Sequence, residues 1–177
     1  MKVCMIVANG FEEAETVASF AILRRAGLEV DIYSLAGLQA IGRFGLTCSR
    51  LKPFSSFEDN GYKAIILPGG PQYKELEACQ PLLQLLQDFY HQGKYVCAIC
   101  ASPTILGHLG MLKGKKYTCF TSMNEDFGGT YCDNYAVIDG QIITGKSAAA
   151  AIDFGFAIIQ AICGSQRAQQ VKEDIYY

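Results

Sequence analysis

Apolar residues in this chain fall in short bursts separated by stretches of helical periodicity. Lys2 to Ala8 is an apolar run that ends at Asn9-Gly10, a turn signal. From Glu12 to Ala26 the apolar positions recur at helical spacing, with acids in the first turn, Arg24 and Arg25 in the last, and Gly27 as the stop. Leu28 to Leu35 then predicts a second strand, so the first third of the chain is a parallel strand–helix–strand crossover. Two short strands around Gly42 to Gly45 predict a hairpin. The alternation resumes with a strand at Lys63–Leu67 closed by Pro68-Gly69-Gly70, a helix at Leu76–His91, a strand at Tyr95–Ile99 and a helix at Ala101–Leu109. Tyr117–Thr121, Tyr135–Asp139 and Gln141–Thr144 predict further strands, the last two joined by an Asp139-Gly140 turn, and a final helix spans Ala148–Ile162. The pattern predicts one α/β domain over residues 1–177, with a mostly parallel sheet covered by helices.

Composition narrows the function classes. Half of the 177 residues are apolar and 18% are charged, against about a quarter in an average domain, so a sizeable core is expected and disorder is excluded. A net charge of -2 gives no footprint for nucleic acid or for an anionic membrane. The run Val3–Ala8 is too short for a signal-peptide core and Asp153 interrupts the longest apolar stretch near the C-terminus, so a cytoplasmic protein is expected. In that setting the eight cysteines read as reduced thiols, with one reactive member at most.

Ligands of open α/β sheets gather at the carboxyl ends of the strands. Three such ends carry marked residues: Glu12–Glu15, Pro68-Gly69-Gly70, and Ile99-Cys100-Ala101-Ser102-Pro103. At the last, a strand runs directly into a helix with small residues beside Cys100, the requirement of a nucleophile elbow. A thiol at a helix start is expected to be acidified by the helix dipole and free amides. The N–H groups of Gly70 and Ala101 are candidate oxyanion donors. The alternative is that Cys100 merely packs beneath the sheet end. The two histidines, His91 and His108, are badly placed to act as a base, His108 lying about 12 Å down the helix from Cys100. The remaining proton carrier is Glu15, which shares a helical stripe with Ala18 and Ile22; Glu12 and Glu13 are expected to be solvated. Cys97 and Cys100 form a C-x-x-C spacing, but Cys97 falls within the strand and is expected to point away. No ligand spacing suits zinc, and Gly110–Lys115 lacks the spacing and the hydroxyl of a phosphate loop. No metal and no cofactor are expected.

Taken together, Asn9–Thr16, Leu67-Pro68-Gly69-Gly70, Cys48-Ser49-Arg50, Ala98–Thr104 and Gly128-Gly129 resemble the ThiJ/PfpI superfamily along essentially the whole chain, specifically its Parkinsonism-associated protein deglycase branch. The resemblance implies a flavodoxin-like core and a homodimer. It also implies Cys100 as nucleophile, Glu15 as its protonated partner, Gly70 and Ala101 as oxyanion-hole amides, and Arg50 near the dimer interface, with Phe11, Phe20 and Phe44 close by. Two departures stand out. Phe120 occupies the position of a histidine found in the animal deglycase branch, and Lys146-Ser147-Ala148-Ala149 replaces a Gly-Pro-rich stretch, so the pocket shape there does not carry over. The protease-like branch has histidine after its cysteine; Ala101 here counts against peptidase chemistry. The implied activity is glutathione-independent conversion of a small aldehyde, or of a glycated amine or thiol. The alternative, from another class, is a redox sensor or chaperone in which Cys100 is oxidised to sulfinate and Glu15 steadies the anion.

Overall fold

In a computed structural model describing residues 1–59 and 61–177, β1 (Lys2–Val7) and β2 (Glu29–Ser34) flank α1 (Glu13–Arg25) as the first crossover unit. A hairpin of β3 (Gln39–Ile41) and β4 (Thr47–Ser49) follows, then a two-residue edge strand β5 (Lys52–Pro53). The second half runs through β6 (Ala64–Leu67), α2 (Tyr73–Ala78), α3 (Gln80–His91), β7 (Tyr95–Ile99), α4 (Pro103–His108), the short pair β8 (Lys116–Tyr117) and β9 (Thr130–Tyr131), the hairpin β10 (Ala136–Asp139) and β11 (Ile142–Gly145), and the C-terminal helices α5 (Ala151–Cys163) and α6 (Ser165–Asp174).

Seven strands form the main sheet in the order β10-β11-β7-β6-β1-β2-β5, and every neighbouring pair is parallel except β10 with β11. The flavodoxin-like α/β fold is therefore present. Strand side chains alternate between two cores. Val3, Met5 and Val7 of β1 pack with Ile22, Leu23, Phe154 and Ile158 on the α1/α5 face, whereas Cys4, Ile6 and Ala8 pack with Leu82, Leu86, Phe89 and Ile105 on the α3/α4 face. Helices cover both faces, so the central strands β6 and β7 read as unbroken apolar runs. Gly155 lets α5 approach α1 closely: a methyl group there would come within 2.8 Å of the Ile22 side chain.

The structure departs from the sequence expectations where short-range chemistry or polarity intervenes. The helix predicted over Leu76–His91 is two helices broken at Cys79, because Pro81 has no N–H for a continuing ladder and instead fits the first turn of α3. Of the predicted Tyr117–Thr121 strand only Tyr117 pairs, in β8, and Thr121–Met123 is a 3-10 turn. The last predicted helix begins with a 3-10 turn at Ala148–Ala150 before α5. Helix α6 was not expected; it is polar apart from buried Ala168 and Val171, three residues apart. Among the described residues no helix is long and apolar enough to cross a membrane.

This connectivity places the site. After β1 the chain moves outward to β2 and β5, then returns past β1 to lay β6, β7 and β11 on the other side. The crevice between the carboxyl ends of β1 and β6 is a topological switch point, and β7 ends beside it.

Candidate active site

Cys100 leaves β7 with φ 66°, a left-handed conformation that a non-glycine residue adopts only when its surroundings enforce it. The enforcement is visible. Cys100 N–H donates to Gly145 O at 2.9 Å, and Cys100 O accepts from Phe120 N–H at 2.8 Å. Two residues on, the buried Ser102 hydroxyl donates to Pro68 O at 2.7 Å and ties the elbow to the glycine turn after β6. Gln72, 1% exposed, secures that turn from the other side: its amide donates to Pro68 O at 2.8 Å and its carbonyl accepts from Ala8 N–H at 2.6 Å. The three strand ends are thus locked together by polar side chains that would be costly to leave unpaired.

Within this frame Glu15, in the first turn of α1, is fully buried. Its Oε2 accepts from Gly69 N–H at 2.7 Å, and its Oε1 is buried with no hydrogen-bond partner among the described residues. The Cys100 thiol lies within hydrogen-bonding reach of this carboxyl. The amides of Ala101 and Gly70 reach the thiol as well. Gly69 is required by space, since a methyl group there would sit 2.7 Å from both Cys100 Cβ and Glu15 Oε2. Gly70 is required by conformation, with φ 91°, and an added Cβ would come 2.6 Å from Glu12 N and Gly10 O. The structure therefore gathers four predicted residues, Cys100, Glu15, Gly70 and Ala101, at one point. Arg50 is not among them; it is exposed, with φ 62°, and does not figure among the groups acting on Glu15 or Cys100.

Electrostatics correct one expectation. Burial lifts the Glu15 carboxyl to about 7 and the neighbouring Glu12 charge adds to the rise, against the Cys100 and Gly69 hydrogen bonds and the Arg43 charge. The Cys100 thiol is pushed up, not down: burial dominates, the Glu15 charge and hydrogen bond add to it, and the Ala101 and Gly70 amides only partly offset them. Burial thus outweighs the expected helix-start acidification, and α4, six residues long and beginning three residues beyond the sulfur, offers little dipole to oppose it. What the geometry builds is a coupled pair. Doubly ionised, it places two negative charges side by side in a buried site, so it gives up its first proton near neutral pH and keeps the second, on oxygen or on sulfur, well above it. With the proton on Glu15, the thiolate loses its repulsive neighbour and gains a donor.

Three further residues were misjudged from sequence. Glu12 is 8% exposed and pairs with Arg43 at 3.1 Å, while Glu13 Oε1 accepts from Phe44 N–H at 2.7 Å, so neither acid is free in solvent. Phe11 is fully buried within its own chain. Phe120 lies directly beside the elbow and is 44% exposed. His91 is exposed, and His108 bridges Glu77 and Glu125, which raise its pKa; neither reaches Cys100. Cys97 is buried in the α1/α5 core, where burial pushes its thiol far up. Lys146 pairs with Asp133 and Ser147 is extended before the 3-10 turn. No cluster of three metal-ligating side chains occurs among the described residues.

An elbow cysteine facing a buried glutamate at the switch point of a flavodoxin-like sheet defines a class of cysteine-bearing α/β proteins. Residues 1–161 match the DJ-1/PfpI family, and the chain belongs to it. An uncharacterized protein of Methanocaldococcus jannaschii is 34% identical over 168 residues, covering 91% of this chain and 82% of its own. The Parkinson disease protein 7 homolog of Danio rerio is 31% identical over 180 residues (95% and 93%), and the deglycase PfpI of Pyrococcus furiosus 28% over 149 (82% and 90%). Among solved structures, oxidized DJ-1 of Toxoplasma gondii superposes with a TM-score of 0.92 at 27% identity, covering 99% of this chain and 98% of that one.

Proposed function

We propose that this protein is a glutathione-independent converter of small reactive aldehydes, of the glyoxalase or deglycase kind. The observation that carries the reading is the fully buried Glu15 carboxyl within reach of the Cys100 thiol, one of its oxygens without a hydrogen-bond partner among the described residues. A catalytic role is one reason for a buried polar atom to lack a partner, and a carboxyl so placed can exchange a proton with the sulfur. The thiolate adds to the aldehyde carbon of methylglyoxal, and the Gly70 and Ala101 amides hold the oxygen that gains charge. Protonation of that oxygen gives a hemithioacetal. Glu15 then removes the proton from the former aldehyde carbon and returns one to the adjacent carbon. The product is a hydroxy acid thioester, whose hydrolysis releases lactate and frees Cys100. Oxidation of one carbon is balanced by reduction of its neighbour, so no cofactor is consumed. A hemithioacetal or aminocarbinol of a protein side chain first collapses, releasing its thiol or amine and the free aldehyde, and the same addition of Cys100 to that aldehyde then constitutes deglycation, the activity named for the Pyrococcus relative. A reduced Cys100 suits the cytoplasm.

The sensor reading keeps one specific support, the oxidized state named for the Toxoplasma relative. Both readings use Glu15 as a hydrogen-bond donor, and they part on turnover. Methylglyoxal loss without glutathione, compared between wild type and Cys100→Ser, decides: the enzyme reading predicts turnover that vanishes in the variant. No turnover in the wild type, together with sulfinate formation at Cys100 under mild peroxide, leaves the sensor.

A homodimer is part of the proposal. Val17 on α1 and Ile41, Phe44 and Leu46 on the hairpin are 45%, 46%, 76% and 49% exposed, a cluster that needs covering. Light scattering should give twice the chain mass of 19.3 kDa.

A further inference from the structure

The hairpin between β3 and β4 does more than shield α1. Its chain runs beside residues 9–13 as though it were one more strand: Gly10 N–H donates to Ile41 O at 2.7 Å, Ile41 N–H to Asn9 Oδ1 at 3.0 Å, Arg43 N–H to Phe11 O at 2.9 Å, and Phe44 N–H to Glu13 Oε1 at 2.7 Å. Gly42 permits the approach, because any side chain there would collide with the Glu13 carboxyl. The result is that Arg43 is delivered to Glu12. Glu12 occupies the N-cap position of α1, yet its side chain caps nothing and turns to the Arg43 guanidinium at 3.1 Å. Its backbone N–H meanwhile donates to Gly69 O at 3.0 Å, on the same turn whose Gly69 N–H donates to Glu15. Two carboxyl groups thus flank one glycine turn, one of them neutralised by an arginine and the other facing the thiol.

We propose that Arg43 is a positioning residue for the reaction: by fixing Glu12 as a paired carboxylate turned toward the hairpin, it leaves Glu15 and Cys100 as the only groups of the site that exchange a proton. The charged and titratable groups acting on Glu15 are Cys100 from the elbow, Glu12 from the start of α1 and Arg43 from the hairpin. Glu12 favours the protonated form of Glu15 and Arg43 opposes it, so the two act on the pair with opposite sign. Removing either one unbalances it, and in opposite directions. Loss of Arg43 leaves Glu12 uncompensated and makes Glu15 hold its proton to higher pH; loss of the Glu12 charge makes Glu15 release it at lower pH. A purely structural role for the hairpin gives no such opposition of sign.

The inference rests on the Glu15–Cys100 pair of the proposed function, but its test needs no aldehyde. Alkylation of Cys100 by iodoacetamide, followed by peptide mapping across pH, reads the thiolate that appears when the pair loses its first proton. In Arg43→Gln that step moves up by about half a pH unit or more, which slows alkylation about threefold at a pH just below the wild-type step. In Glu12→Gln it moves down by a similar amount, and Arg43→Lys restores the wild-type profile. Shifts of the same sign in Arg43→Gln and Glu12→Gln, or none in variants that keep the wild-type circular dichroism and unfolding midpoint, overturn the proposal. Should Arg43→Gln fail to fold, Glu12→Gln alone decides, since an unmoved or raised step contradicts the balance. Glu15→Gln separates the two layers. If the pH step persists without Glu15, the pair and the positioning role both fall. If it vanishes while the Arg43 and Glu12 variants leave the step unmoved, only the positioning role falls.

Discussion

Two non-glycine residues, Cys100 and Arg50, share nearly the same left-handed backbone, φ 66° and 62°, in opposite surroundings. Around Cys100, three buried strand ends meet, and the hydrogen bonds from Cys100 N–H to Gly145 O, from Phe120 N–H to Cys100 O and from the Ser102 hydroxyl to Pro68 O leave the chain no other path. Arg50 is exposed within the single chain; it follows β4, and the next residue, Leu51, closes the hairpin through its N–H to Leu38 O at 2.9 Å. The comparison teaches that a strained φ points to chemistry only where burial and converging polar groups over-determine it. At the surface the same angle is a way to turn.

The sharpest break between the two regions is Cys100→Ser. It keeps the elbow and removes the nucleophile, so aldehyde turnover should fall below detection in a methylglyoxal-loss assay while the unfolding midpoint changes little. Next comes Glu15→Gln, which retains a donor and loses proton exchange; turnover should drop about 10²–10⁴-fold. This variant also carries a stability signature. The Glu15 carboxyl titrates at about 7 in the folded chain against 4.5 as its ordinary value, so the folded state binds the extra proton between these limits and stability falls as pH rises through them. Above pH 7 the penalty is complete, and Glu15→Gln should be more stable than wild type by on the order of 3 kcal/mol, an advantage that fades toward pH 4.5 in urea titrations. Gly69→Ala inserts a methyl group 2.7 Å from Cys100 Cβ and Glu15 Oε2, and should lower stability by about 1–3 kcal/mol in denaturant melts and slow alkylation at Cys100. The smallest effect belongs to the other side of the comparison: Arg50→Gly relieves an exposed left-handed residue and should raise stability by no more than about 1 kcal/mol. A loss on Arg50→Gly larger than that of Gly69→Ala would erase the contrast between the two sites.

The same contrast explains what the sequence disclosed. Cys100 between Ile99 and Ala101, the Gly69-Gly70 pair and Glu15 on its stripe are local patterns, and each was legible because a tight turn or a helix face restricts residue type within a few positions. The Glu12–Arg43 pair, 31 residues apart in sequence, has no such signature, nor do the Gln72 and Ser102 side chains that lock the strand ends. The sign of the Cys100 shift was misread for the same reason. A helix start is visible in sequence, whereas the burial that outweighs it is a property of the assembled crevice. Pro81 did announce the break between α2 and α3, but apolar periodicity across it hid the signal. α6 escaped because two buried positions in ten leave little pattern to detect.

The central claim is that Glu15 keeps a proton up to near neutral pH because it is buried beside Cys100. Infrared difference spectroscopy of the reduced protein, titrated across the range around pH 7, reads that proton directly through the carbonyl stretch of a protonated carboxyl. The account predicts such a band that is lost with a midpoint of about 7 in the wild type and is missing in Glu15→Gln. A wild type whose carboxyl bands all vanish in the ordinary range near pH 4, with no difference in Glu15→Gln, contradicts it.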